Sequence, residues 1–290
     1  MRPLAPSLLL LVACGPDEPP TPVRAPAAPA VVRLATWNVH DLYDEEDRLI
    51  PPGVLDEVPA AAEVEAKLDR LAGVLAALDA DVVLLQEVED LRILARLAGR
   101  AGYPEARLLE GNDPRGIDLA LLSRLPVLAY VGHAEETGPD GRLLWPRDAV
   151  EAVLEAGGRR MVLLGAHLSS RLSDPVGARR AQQAGRLRSL ADLAAGRWGA
   201  DLVVVGGDLN EEASGPGLAP LLGDGSWLDA AGAAGSADWT WTDGSSRAAL
   251  DHLALRAGDV GALLAVRVAG GFEVAAASDH RPVLLDLLAF

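Results

Sequence analysis

The segment DLVVVGGDLN (residues 201–210) carries an apolar run, Leu202–Val205, through two glycines to Asp208 and Asn210. A strand buried on both faces reads as such an unbroken run. Its end then delivers two oxygen-bearing side chains. Asp and Asn hydrogen-bond their own backbone readily, so the pair can close a turn. It can equally present oxygens to a reaction, and the segment alone does not choose. The two glycines are expected to let the backbone turn tightly, so that both side chains face one point.

Similar runs recur along the chain. Strands are expected over 31–39, 81–88, 117–123, 127–131, 202–206, 250–255, 262–268 and 282–287, with a hairpin through Gly157-Gly158 joining two more. Val64, Leu68, Leu71, Leu75 and Leu78 fall at helical spacing within 61–80, and 175–195 reads as a second long helix. About ten strands with hairpins and only two long helices do not suit a doubly wound sheet, which needs a helix in nearly every connection. They suit an α/β (α+β) four-layered sandwich: two packed, mainly antiparallel sheets flanked by helices.

The chain has 290 residues and a net charge of −16, which disfavours long-range attraction of nucleic acid. Lys67 is the only lysine among 26 basic residues. The only cysteine, Cys14, excludes a disulfide framework and a cysteine zinc cluster. Residues 1–14, with Arg2, an apolar run from Leu8 and Ala13 before Cys14, have a signal-peptide layout similar to the bacterial lipoprotein signal. Residues 15–30 are Pro/Ala-rich and read as a tether, which leaves 31–290 as the domain. An exported, lipid-anchored, monomeric protein is expected. No stretch reaches the ~18 apolar residues of a membrane span.

Polar residues interrupt the strands at their ends: Asn38, Gln86-Glu87, Asp118, His167, Asp208 with Asn210, Asp251-His252, and Ser278-Asp279-His280. Each has an ordinary explanation, as a solvated strand end, a turn or a hydrogen-bonded structural histidine. Together they supply what phosphoryl hydrolysis needs. Carboxylates and an amide bind a hard divalent cation, histidines exchange protons near neutrality, and an amide can hold phosphate oxygens.

The ordered set TWNV (36–39), LLQEV (84–88), RGIDLALLS (115–123), AHLSS (166–170), GGDLN (206–210), LDHL (250–253) and SDHRPV (278–283) resembles the endonuclease/exonuclease/phosphatase superfamily, whose members share the fold of pancreatic deoxyribonuclease. The resemblance implies a phosphodiester hydrolase using Mg²⁺, with Mn²⁺ as an equivalent. It implies Glu87 as the main metal carboxylate with Asn38 beside it and Asp279 as a further contact. Asp208 would hold the attacking water and Asn210 the transition-state oxygens. His280 would be the base, oriented by Asp251. His167, paired with Asp118, would bind phosphate or assist the leaving oxygen, and Arg147 would bind phosphate. Many members carry an acid where His40 stands, which leaves a second metal position open. His40 reads as a loop residue, and His133 and His252 as structural.

Nucleic acid is the leading substrate. A phospholipase C or sphingomyelinase-like enzyme, or an inositol-phosphate phosphatase, keeps the chemistry and changes the substrate. Trp227, Trp239 and Trp241 in 224–244 are the candidate for a membrane-entering hairpin, and Arg159, Arg160, Arg171, Arg179 and Arg180 for a basic patch near the cleft. A non-catalytic binding protein on this scaffold would have a broken metal or base position, and every such position is intact.

Overall fold

A computed structural model describes residues 31–48 and 58–288. The expected signal segment, Cys14 and the tether lie outside them. Both central layers are six-stranded sheets. The first is ordered β13 (Leu263–Val268), β14 (Val283–Leu288), β1 (Val31–Leu42), β2 (Val82–Val88), β4 (Asp118–Ser123) and β3 (Glu105–Leu108). The second is ordered β5 (Val127–Gly132), β6 (Ala149–Ala156), β7 (Arg159–His167), β8 (Leu202–Asp208), β12 (Asp251–Arg256) and β9 (Trp227–Asp229). A two-stranded ribbon, β10 (Trp241–Thr242) with β11 (Arg247–Ala248), belongs to neither sheet and bridges through Trp241 to His280. Among the described residues only β1–β2 and β7–β8 pair in parallel; the other strand pairs are antiparallel.

The two parallel pairs explain the two long helices. A parallel connection has to cross the sheet, usually by a helix. Here α1 (Ala61–Leu78) joins β1 to β2, and α3 (Ala178–Trp198) joins β7 to β8. A third helix, α2 (Leu91–Ala101), was not expected. Its sequence signal is at its ends, where Asp90 accepts the Arg92 and Ile93 amides and Gly102 closes it in the left-handed conformation.

Alternate residues of the continuous apolar strands go to different cores. Val82 and Leu84 of β2 pack between the sheets, while Val83 and Leu85 pack under α1 and α2. Likewise Leu202 and Val204 of β8 face the other sheet, and Val203 and Val205 lie under α3. The result is helix, sheet, sheet, helix, the four layers expected.

Gly206 and Gly207 correct the expected tight turn, because both lie inside β8. They are there for close approach. A Cβ on Gly206 would meet the His252 carbonyl oxygen at 2.6 Å. One on Gly207, at φ +134°, would meet the Ala166 carbonyl oxygen at 1.9 Å. The five arginines expected as a basic patch do not gather among the described residues. Arg159 and Arg160 begin β7 at the end opposite His167, Arg179 bonds Leu143 and Leu144 carbonyls, and Arg180 is buried against Glu211; Arg171 alone, four residues past His167, stays exposed near the strand ends, 3.7 Å from Glu211.

Gly207→Ala should destabilise the fold by about 3 kcal/mol or more, since backbone strain adds to a clash with backbone. Gly73→Ala, on the exposed face of α1 with open space around it, should instead stabilise by roughly 0.5–1 kcal/mol. Urea denaturation of the two variants measures both. A Gly207→Ala protein as stable as the native one would refute the close-approach reading.

Candidate active site

The polar strand ends meet on one side of the molecule. Parallel β1, β2, β7 and β8 contribute from their C-terminal ends, and antiparallel β4 and β12, together with the loop before β14, from their N-terminal ends. In the second sheet His167, Asp208 and Asp251 stand side by side across three strands, with Asp208 opposite both of the others. In the first sheet Asn38 pairs with Gln86, which puts Glu87 one step beyond.

Asn38 ties the two sheets together. Its Nδ2 donates to Glu87 Oε1 and to Asp208 Oδ2, each at 3.0 Å. His280 Nδ1 lies 2.8 Å from Asp251 Oδ2, and its Nε2 lies 3.8 Å from Asp208 Oδ2. Trp37 Nε1 holds the His280 carbonyl at 3.1 Å. His167 Nε2 lies 3.3 Å from Asp208 Oδ2 and 4.0 Å from Glu87 Oε1. Asn210, in the left-handed region at φ 53°, bonds the Leu168 carbonyl through Nδ2 at 3.1 Å, and its backbone N–H donates to Asp208 Oδ1 at 3.0 Å.

Three expected partners sit differently. No hydrogen bond or ion pair joins His167 to Asp118 among the described residues; Asp118 Oδ1 accepts the Gly111 amide at 2.8 Å. Asp279 has both oxygens engaged, by His40 Nδ1 at 2.6 Å and Trp241 Nε1 at 3.1 Å, so it braces the rim instead of joining Glu87 and Asp208. Arg147 is buried, with Nη1 on the Leu168 carbonyl at 3.2 Å and Nε 2.9 Å from Asp113 Oδ2, a charge contact without hydrogen-bond alignment. Asp113 was not singled out in the sequence; the polar insertion GNDPRG between two strands was its only signal. His133 bridges Glu136 and Glu151, and His252 bridges Asp229 and the Glu211 carbonyl, both away from the cluster.

Electrostatics separates the members of the cluster. Burial, reinforced by the charge of Asp251, pushes the Asp208 carboxyl up to about 7. Burial also opposes the charged form of Glu87, but the Asn38 bond and Arg147 outweigh it and hold the group below the ordinary glutamate range. Burial works against a charged His280 too; Asp251 and Asp208 overcome it and raise the imidazole to about 10. His167 is driven well below its usual value by burial, then by Arg147 and His280. Asp118 rises to about 8, chiefly through burial.

The donor set fits a hard divalent cation. Glu87 and Asp208 present oxygens to the same amide nitrogen, and Asp251 Oδ1 is buried without a hydrogen-bond partner. One ligand atom each from Asp208, Asp251 and His280 also lie within 4.8 Å of one another, but Asp251 and His280 are already bound to each other at 2.8 Å, which leaves Glu87 and Asp208 as the freer pair. Crowded carboxylate oxygens are the ligands of Mg²⁺ and its relatives.

The family model described as "Endonuclease/Exonuclease/phosphatase family" matches residues 35–280. A search of curated proteins found no match. Among solved structures, an endonuclease/exonuclease/phosphatase from Bacteroides vulgatus aligns at TM-score 0.65 and 17% identity, over 90% of this chain and 99% of that one. The human Nocturnin catalytic domain with bound sulfate aligns at 0.64 and 18%, over 89% and 94%. D. rerio TDP2 complexed with single-strand DNA product aligns at 0.62 and 20%, over 89% and 99%.

Asp208→Asn should melt above the native protein in EDTA at pH 8, with the gap closing toward pH 4. An unfolded aspartate ionises near 3.9, whereas the folded Asp208 ionises near 7. Across that window the unfolded chain has released a proton that the folded one retains, so native stability falls as pH rises. Added Mg²⁺ should raise the melting temperature of the native protein and leave the variant unmoved. A variant less stable than native at pH 8 would mean that the neighbours of Asp208 already satisfy its charge.

Proposed function

The chain belongs to the endonuclease/exonuclease/phosphatase family and is a phosphoesterase, and on that premise we propose that it hydrolyses phosphodiester bonds of nucleic acid with a divalent cation, Mg²⁺ first and Mn²⁺ as its equivalent. The observation that carries the reading is the line Asp251–His280–Asp208, in which a buried carboxylate fixes one imidazole nitrogen and leaves the other facing a second carboxylate.

A cation held by Glu87 and Asp208 beside Asn38 would supply charge to offset the anionic phosphate and developing alkoxide, and by neutralising Asp208 would lower the pKa of His280. Asp251 accepts Nδ1–H, which sets the tautomer and leaves Nε2 to take a proton from water. Asp208 lies within reach of Nε2 and orients that water. His167, kept neutral, offers its ring to a phosphate oxygen or the leaving oxygen. Asn210 has one amide hydrogen beyond its Leu168 bond for an equatorial oxygen. Arg147 adds fixed positive charge from behind, which favours a transition state that gains negative charge.

Several features support nucleic acid over lipid. The tryptophans of 224–244 are engaged: Trp227 is buried, Trp239 stacks against Arg247 and Arg281 at about 4.5 Å, and Trp241 bonds Asp279. One structural neighbour is described with a single-strand DNA product. Val31 opens β1 at the end away from Asn38, about 23 Å along the strand by its usual rise. We also propose an exported, lipid-anchored protein, and attachment through residues before Val31 would join the domain at this end of β1, away from the site. The lipid reading keeps two observations: the loop after His167, where Leu172 is 94% and Val176 80% exposed, and Phe272, 83% exposed in the segment leading to Ser278.

Supercoiled plasmid, bis(p-nitrophenyl) phosphate, sphingomyelin and inositol phosphates, each with Mg²⁺ or EDTA, test the assignment. Plasmid nicking that EDTA abolishes, with no lipid turnover, is the expected result. Lipid turnover without nicking transfers the protein to the lipid class, and no turnover of any substrate overturns the enzyme reading. His280→Ala should lose roughly 10²–10⁴-fold in kcat while remaining folded.

A further inference from the structure

The register between β1 and β2 breaks after Asn38–Gln86 and resumes at Leu42–Val88. Three residues of β1, from Val39 to Asp41, therefore face Glu87 alone. His40 (φ 56°), Asp41 (φ 51°) and Glu87 (φ 66°) all occupy the left-handed region. Residues other than glycine stay there only when their surroundings impose it, at a cost of about 1–3 kcal/mol each.

The bulge turns two amides toward the site. The His40 amide donates to Asn38 Oδ1 at 2.9 Å, which fixes the carboxamide so that Nδ2 faces Glu87 and Asp208. The Asp41 amide donates to Glu87 Oε2 at 2.9 Å, which fixes the carboxylate. Lys67, from α1, takes the carbonyls of the same two residues: its Nζ donates to His40 O in a short contact and to Asp41 O at 3.0 Å. Tyr43 N also reaches Asp41 O, at 3.2 Å; among the described residues only Lys67 bonds His40 O.

We propose that Lys67 is a positioning residue for the cation site, seating its ammonium on the His40 and Asp41 carbonyls and thereby holding Glu87 and Asn38 in their binding orientation. The proposal rests on the cation reading above. Two further facts favour it. The chain uses arginine at every other basic position, yet two adjacent carbonyls need a compact tip with freely directed donors and not a planar fork. Val64 and Leu68, on either side of Lys67, are buried in the core, so the base of the side chain is fixed.

Its charge alone would act in the opposite direction. A cation near a metal site repels the metal, so a purely electrostatic Lys67 weakens binding and its removal tightens it. A positioning Lys67 does the reverse. Removing outer-shell partners of metal ligands typically weakens binding 10–100-fold.

Isothermal titration of Mg²⁺ alone into the native protein, Lys67→Met and Lys67→Arg separates these effects, with kcat and KM on bis(p-nitrophenyl) phosphate measured alongside. Lys67→Met should raise the Mg²⁺ dissociation constant about tenfold and lower kcat at saturating Mg²⁺ with KM little changed. Lys67→Arg should also bind more weakly although it keeps the charge, and it carries the test where the methionine variant does not fold. Native-like or tighter Mg²⁺ binding by either variant overturns the assignment. A native protein that takes up no divalent cation overturns the cation reading, and this one with it.

Discussion

The site depends on how closely β8 approaches its two neighbours. Without side chains at Gly206 and Gly207, the backbone of β8 can lie against the Ala166 carbonyl on one side and the His252 carbonyl on the other. That contact holds β7, β8 and β12 in the register that aligns His167, Asp208 and Asp251. Any side chain there would push one strand away and separate a histidine and two carboxylates that need to share a few ångströms. The chemistry at the strand ends is thus set by backbone packing one and two residues earlier.

That register brings together groups that repel one another. Asp208 and Asp251 are both buried, and the first is pushed up to about 7 partly by the second. Among the described residues, four of the five non-glycine residues with positive φ, namely His40, Asp41, Glu87 and Asn210, belong to this region; the fifth, Asp79, closes α1. Strain and crowded charge in one place are the reverse of what stability alone would select. They follow where geometry must be held for a ligand that supplies the missing charge.

Much of this was legible in the sequence, for definite reasons. Strands buried on both faces appear as unbroken apolar runs, and the core-facing residues of α1 appear at helical spacing, so the four layers could be inferred before any coordinates. Short elements were not legible. The strands β3, β9, β10 and β11 have two to four residues each, too few to show a period, and they form through tertiary contacts. The site residues were legible as types at strand ends, but not in their pairings. Asp279 turns to His40 and Trp241, and Arg147 is met by Asp113, because loop geometry decides where a side chain points and spacing does not record it. The scattered arginines misled for the same reason, since neighbours in the chain diverge around a helix or along a hairpin. The role of the glycines was misread because a turn and a close approach select the same residue.

An acidic protein that cleaves an anion cannot draw its substrate in by overall charge. The net charge of −16 opposes approach at long range, although salt shortens that range to about 8–10 Å. Favourable charge has to be local. Arg147 lies behind the cluster and is itself buried; Arg115 reaches Asp41 at 3.5 Å; His40, raised mainly by its bond to Asp279, stands at the rim with its side chain half exposed. Each of these three is paired with a carboxylate, and Lys67 is seated on the His40 and Asp41 carbonyls, so the positive charge near the cluster is already engaged. On the function proposed above, binding relies on contacts formed after arrival, and on the charge a cation held by Glu87 and Asp208 would supply more than on the protein surface.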